Sequence, residues 1–311
     1  MYLHKEDYFK DIVMDVSNRS GITDDIIEKD YYITLILREL ARRNAEIVFK
    51  GGTSLSKAHH IIDRFSEDVD ITFTEHIGSA RRKKLKYDII GKISEEIGLP
   101  ILNWNKIESD KEYNHYDFGY ESISEIQNPI PSTVILETAL MSYAFPTEEK
   151  EITSIIYEYL WESDKEILEQ YDLLPFSMKV QSVDRTLIDK MFAVCDYYIL
   201  YKARRNSRHL YDIYKLYPHV TEDAGFYDLV EEVRLHRSKM DKKVAPAARD
   251  DVDILGVVRK LSDEDFYKDD YENRTKGLIS DNLSYDEVIE FYRRLMDRVF
   301  KCQSYSVGNG T

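Results

Sequence analysis

Asp68 and Asp70 flank a single apolar residue, Val69, within the stretch VFKGGTSLSKAHHIIDRFSEDVDITFT that runs from Val48 to Thr74. In an extended backbone the two carboxylates point to one face and Val69 and Ile71 to the other, at a separation of about 6.5–7 Å. Carboxylates so placed can share one hard cation, or a pair of cations about 3.5–4 Å apart. A divalent ion such as Mg²⁺, held by a few carboxylates and by substrate phosphates, suits that chemistry. Upstream, Gly51 and Gly52 follow the apolar run Ile47, Val48 and Phe49. A glycine pair lets backbone N–H groups approach a phosphate, and a helix that opens there turns its positive end the same way. The stretch therefore offers donors for a triphosphate and oxygen ligands for its metal.

These groups need a particular scaffold. The pattern predicts a buried strand over 47–49, a turn at 51–52, a helix over 53–62 and a second strand over 69–74. Taken apart, the glycines read equally well as an ordinary strand-to-helix turn and the acids as a solvated edge strand. The chain carries a control in Asp251-Val252-Asp253, which lacks the strand, turn and helix upstream and reads as a surface turn. Lys57 does not complete a P-loop, because GGTSLSK lacks a glycine immediately before the lysine and a hydroxyl residue after it. It is carried forward only as a candidate nucleotide contact.

Elsewhere, residues 5–42 read as two helices broken near Ser20-Gly21, and 81–97 as an amphipathic helix ended by Gly98 and Pro100. The period then shortens, with candidate strands near 101–104, 115–120 and 133–140 and a turn marked by Pro129 and Pro131. In VILETAL, Glu137 interrupts an apolar run, and a buried acid asks for a partner. Beyond Glu148 the strand signals fade, MKVQSV returns briefly to a strand, and the remainder is helical by pattern. The fold class is therefore α+β: a mixed-sheet N-terminal domain over 1–170, an α-helical C-terminal domain over 171–300, and a tail over 301–311.

In VDRTLIDKMFAV, Lys190 sits on a helix whose apolar positions are Leu187, Ile188, Met191 and Val194, and spacing alone leaves it a solvent-facing lysine. In SRHLYDIYKL, Arg208 and Asp212 are i and i+4, and His209 and Asp212 are i and i+3, so all three share a helix face. A surface ion pair is the plain account of them.

GGTSLSKA followed by RFSEDVDI resembles the AbiEii/AbiGii toxin family of nucleotidyltransferase-like proteins, within the superfamily that includes DNA polymerase β. The resemblance runs from about residue 25 to about residue 295, taking in IIEKDYYIT and the closing KGLISDNLSYDEVIEFYRRL. It implies a nucleotidyltransferase fold in which Asp68 and Asp70 are catalytic ligands of Mg²⁺ or Mn²⁺. A third carboxylate comes from a neighbouring strand, Glu137 first and Asp117 in reserve. Gly51 and Gly52 with Thr53 or Ser54 would hold the β and γ phosphates of an NTP, with Lys29 near the nucleotide. Lys190 matches a family lysine whose implied role is a point charge on the triphosphate. Asp212 becomes a general base or an orienting carboxylate, and Arg208 a phosphate contact or an anchor for Asp212. The helical domain would complete the active site. His209 departs from the pattern, standing where many relatives carry Asp.

Composition narrows the function. With 43% hydrophobic and 32% charged residues the chain is no disordered segment, and no apolar run nears the ~20 residues of a membrane span. Cys195 and Cys302 are too few for a disulfide framework or a zinc site, and the absence of a basic-then-apolar leader reads as cytoplasmic. A net charge of −15 argues against indiscriminate nucleic-acid binding. Two local basic clusters, Arg81 to Lys86 and Lys202 to Arg208, could still make a path for RNA. The 24 tyrosines offer stacking faces, with packing as their plainer use. The expected activity is transfer of NMP from an NTP to an RNA, a tRNA 3′ end by resemblance, in a toxin of a toxin-antitoxin or phage-defence pair with a cognate antitoxin. A protein hydroxyl or a small molecule is the alternative acceptor. A nucleotide- or RNA-binding regulator without transfer activity is the alternative class.

Overall fold

The structure is a computed structural model that describes residues 1–64, 66–124 and 131–306, with side chains through Lys301. Pro129 and the side chain of Cys302 lie outside the described residues. The chain divides into two compact units, one of residues 1–59 and 66–181, the other of 60–65 and 182–311.

The first unit carries α1 (Phe9–Ser20), α2 (Asp24–Arg43), β1 (Val48–Lys50), α3 (Gly51–Lys57) and β2 (Asp68–Thr72). After these come α4 (Ser79–Lys84), a π-helical turn (Leu85–Ile90) and α5 (Gly91–Ile97), then β3 (Tyr113–Gly119), β4 (Thr133–Ala139) and β5 (Thr147–Ile152). Short helices α6 (Ile155–Leu160) and α7 (Lys165–Gln170) precede β6 (Phe176–Gln181). The strands form one six-stranded sheet in the order β3-β4-β2-β1-β6-β5. It is mixed: β2 runs parallel to β4 and antiparallel to β1, while β1 runs parallel to β6. One face is apolar, with Phe49, Val69, Ile71, Val134, Leu136 and Phe118 fully buried. The helix α2 is buried around nearly its whole circumference, so its charges need partners. Glu28 accepts from Ser122 and the Ile123 amide, Lys29 donates to Glu67 at 2.6 Å, and Arg38 donates to the Leu174 carbonyl.

The second unit is helical: α8 (Val183–Ile199), α9 (Arg208–Leu216), α10 (Ala224–Ser238), α11 (Ile254–Asp263), α12 (Lys268–Asn273) and α13 (Tyr285–Ser306). Its centre is α8, whose Leu187, Ile188, Met191 and Val194 are fully buried. Tyr292 and Tyr267 donate hydroxyls to the Met191 and Val194 carbonyls, which lets buried phenols pack against a helix backbone without orphaned O–H groups.

Four features depart from the sequence reading. The unit boundary falls at Gln181, because 176–181 is a strand of the sheet and not the start of the helical part. The 60–65 segment belongs to the helical unit, so α3 stops at Lys57, with His60 at φ +53. The acidic run TEEKEI is an edge strand, β5, whose alternating charges hid the hydrophobic period and also guard an exposed edge. Residues 101–104 form no strand, only an Ile101 to Phe118 bridge ahead of a 3₁₀ turn.

Candidate functional site

The strand β2 presents Asp68 and Asp70 half-buried on one face while Val69 and Ile71 fill the core. Register extends that polar face across the sheet. Asp70 lies beside Lys50 of β1 on one side and Glu137 of β4 on the other, and Glu137 in turn beside His115 of β3. Asp68 stands beside Ile135, and Ile135 beside Asp117. Glu137 thus occupies the neighbouring-strand position expected of it, one row from Asp117.

The turn before α3 is shaped around Asp70. Gly51 has φ +81, and a Cβ there would fall 2.0 Å from Asp70 Oδ2. Only glycine meets both demands: the left-handed backbone and the close approach of the carboxylate. Gly52 follows in the first turn of α3. Thr53 and Ser54 are buried, and their hydroxyls face inward: Thr53 donates to the Asp68 carbonyl, and Ser54 to the Gly51 carbonyl at 2.9 Å. They brace the turn to β2, so any phosphate contact by these residues falls to their backbone N–H groups. Lys57 is likewise committed, with its ammonium in a largely buried ion pair with Asp30, whose second oxygen accepts the Ile155 amide. It ties α3 to α2, and Lys29 is held in the same way by Glu67 and the Pro131 carbonyl.

Tyr113 shows how the acids share one environment. Burial raises its phenol above the ordinary value, and the nearby charges of Glu137, then Asp70 and Asp68, raise it further. Among the described residues, no group of three or more carboxylate, imidazole or thiol side chains is gathered closely enough to hold a metal ion. Asp68 and Asp70 fit a hard cation as a pair completed by phosphate oxygens. Glu137 stands next to that pair by register and, among the described residues, not within a ready-made cage.

The second constellation lies in the helical unit. Asp212 of α9 is fully buried and clamped on both oxygens: Arg64 Nε meets Oδ1 at 2.6 Å, Arg64 Nη2 meets Oδ2 at 2.7 Å, and Lys190 Nζ of α8 meets Oδ2 at 2.7 Å. Burial alone would raise this carboxyl, but the guanidinium and the ammonium outweigh it and hold it well below the usual carboxylate range. A carboxylate so occupied is a poor proton acceptor. Lys190 is nearly buried, and burial lowers its ammonium below the ordinary lysine value against the pull of Asp212. His209 Nδ1 lies 3.5 Å from Lys190 Nζ, with its ring stacked on Tyr197. Burial, then Lys190 and Arg208, push it well below 6.5, so it is neutral.

The anchor of Asp212 is Arg64, not Arg208, which opens α9 half-exposed and makes no ion pair among the described residues. Arg64 stands in the RFSEDVDI segment that carries the resemblance, where attention falls on the acids. The signal for it was an arginine held inside that motif. Lys50 and His115, which flank Asp70 and Glu137 by register, had no signal before strand pairing was known. Of the two basic clusters, that of α4 is mostly spent. Arg81 pairs with Glu46 and Glu75, Arg82 pairs with Glu112, and Lys86 is buried over Trp104 with its ammonium on the Ile107 carbonyl. The second Asp-x-Asp behaves as a surface element, with Asp253 accepting the Gly256 amide at the start of α11.

A family model described as nucleotidyl transferase AbiEii toxin, type IV TA system, matches residues 35–292. Among solved structures, the chain is similar to MenT4, a nucleotidyltransferase toxin from Mycobacterium tuberculosis H37Rv, at a TM-score of 0.51 and 16% identity. That match covers 93% of this chain and 89% of the other, and it is a likeness of fold. No curated protein matches the chain in sequence.

Proposed function

Because the chain belongs to the AbiEii nucleotidyltransferase toxin family, we propose that it transfers NMP from an NTP to an RNA hydroxyl at the sheet face bearing Asp68 and Asp70. The observation that carries this reading is the fit between Gly51 and Asp70, a turn whose backbone lies open to the carboxylate because no Cβ stands between them. Mg²⁺ or Mn²⁺, held by Asp68 and Asp70, would supply charge neutralisation at the α phosphate. The chain's own groups do the rest. Backbone N–H groups of the Gly51-Gly52 turn receive the terminal phosphates, and Thr53, through the Asp68 carbonyl, keeps that turn in register with the acids. Glu137, beside Asp70 on the neighbouring strand, extends the negative face next to the pair. The acceptor hydroxyl releases its proton to water while its oxygen forms the new bond to the α phosphorus and the bond to pyrophosphate breaks.

In the helical unit, Asp212 fixes the position and charge of Lys190, and Lys190 is assigned to offsetting charge as pyrophosphate departs. Arg64 keeps Asp212 ionised and immobile while it does so. A tRNA 3′ end is the acceptor we favour, which places the reaction in the cytoplasm. A cognate antitoxin is the partner, in a toxin-antitoxin or phage-defence pair. Among the described residues no helix is long and apolar enough to cross a membrane. Incubation of the purified protein with each labelled NTP, Mg²⁺ and total tRNA tests the proposal. Label should appear in tRNA with the wild type and fall to background with Asp70→Ala. No transfer by the wild type, or unchanged transfer by the variant, would sink it.

A further inference from the structure

The chain from Tyr197 to Tyr211 contains Lys202, Arg204, Arg205 and Arg208 and no acid, in a protein whose net charge is −15. In the structure this stretch ends α8, turns through 201–207 and opens α9. Tyr201 is 86% exposed at the tip of α8, and Lys202, Arg204 and Arg205 are exposed after it. Among the described residues neither Lys202 nor Arg204 makes an ion pair.

The backbone under these side chains is fixed. Asp270 of α12, itself buried, accepts the Arg205 amide at 2.8 Å, the Ser207 amide at 3.2 Å and the Ser207 hydroxyl at 2.7 Å. Lys202 N donates to the Tyr197 carbonyl, and Asn206 closes the turn on the Lys202 and Arg204 carbonyls. Tyr201 and Arg205 are held at φ +55 and +68, a left-handed conformation that bulky side chains rarely adopt and that glycine would take without strain. A rigid turn that keeps a tyrosine and an arginine where glycine would be easier presents those side chains outward.

We propose that this turn is the seat of single-stranded RNA, with Tyr201 stacking on a base and Lys202, Arg204 and Arg208 meeting the flanking phosphates. The proposal rests on the RNA-acceptor reading above and names the element that holds that acceptor. A bare ring between cations suits a strand of nucleotides, whose bases cover the ring while their phosphates meet the charges. An acidic peptide would satisfy the charges and leave the ring in water. The α4 cluster, its arginines already paired, offers only Lys83 and Lys84 and serves as the control.

The test is binding of fluorescently labelled tRNA and of a single-stranded oligoribonucleotide at several salt concentrations. The full-length wild type is compared with Tyr201→Gly, Tyr201→Phe, Lys202→Ala/Arg204→Ala and Lys83→Ala/Lys84→Ala. Tyr201→Gly relaxes the left-handed backbone, so it removes the ring without a folding burden. It should weaken binding by about fivefold or more at an unchanged salt slope, as loss of one stacking face does. Tyr201→Phe should bind as the wild type does. The Lys202/Arg204 variant should flatten the log–log salt slope by about 1.4, two phosphate contacts on a single strand. The Lys83/Lys84 variant should match the wild type. Wild-type binding that survives unchanged in both turn variants would overturn this inference and leave the RNA acceptor standing. A wild type that binds neither RNA would overturn both.

Discussion

Arg64 and Asp212 meet fork to fork in the interior of the helical unit, with contacts of 2.6 and 2.7 Å and neither side chain more than 1% exposed. Lys190 adds a third charge on the same carboxylate. Removing one member of such a group strands the others in a medium that solvates them poorly. Arg64→Ala should therefore lower stability by about 3–5 kcal/mol, read as a shift in the urea unfolding midpoint. A loss under about 1 kcal/mol, the range of an exposed pair, would show that the group is more open to water than its geometry indicates.

Gly51→Ala tests the turn. Its backbone cost is about 1–2 kcal/mol for a left-handed residue with a Cβ, which the fold should survive. The carboxylate of Asp70 has to swing away from the new methyl group, so transfer activity should fall as far as it does in Asp70→Ala. Circular dichroism and label transfer on the same preparation separate the two effects. A variant that keeps its activity would mean that Asp70 is not used in the orientation seen here.

Glu137 lies beside Asp70 on the neighbouring strand, and among the described residues it joins no group of three metal-binding side chains. Glu137→Gln should raise the Mg²⁺ concentration needed for half-maximal transfer by about 10–100-fold, the range of a residue that supports metal ligands. Asp70→Asn should abolish transfer at any Mg²⁺ concentration. Identical behaviour of the two variants across a Mg²⁺ titration would promote Glu137 to a direct ligand.

His209 lies among cations and is held neutral. Its folded value is depressed, so its contribution is complete above the unfolded value of about 6.5 and is lost as pH falls through that value toward the folded one. Over the same interval Asp212 contributes no slope, because its folded value is also depressed and the unfolded carboxyl titrates near 3.9. The urea midpoint of the wild type should drop between pH 7 and pH 5, and His209→Gln should flatten that drop. Parallel curves for the two proteins would place the titration elsewhere.

The strand-turn-helix-strand order around Gly51 and Asp68 was legible because alternation and glycine placement are local signals. The face shared by Asp68 and Asp70 followed from strand period alone. Glu137 could be singled out as an acid in an apolar run, but its place beside Asp70 depends on a parallel pairing between residues far apart in the chain. Arg64 was missed for a related reason: the 60–65 segment belongs to the helical unit while both flanks belong to the sheet, and no local period announces that. The strand in MKVQSV was legible but not its membership of the sheet, and the charged strand β5 escaped, because pairing and not hydrophobic alternation decides both.

The central claim is that Asp68 and Asp70 jointly hold a divalent ion together with a nucleotide, and Mn²⁺ uptake followed by electron paramagnetic resonance measures that without requiring turnover. With a nonhydrolysable NTP, the wild type should remove free Mn²⁺ from solution, and Asp68→Asn and Asp70→Asn should each leave it free while keeping the wild-type circular dichroism. Undiminished Mn²⁺ uptake by both variants in the presence of nucleotide would contradict the account.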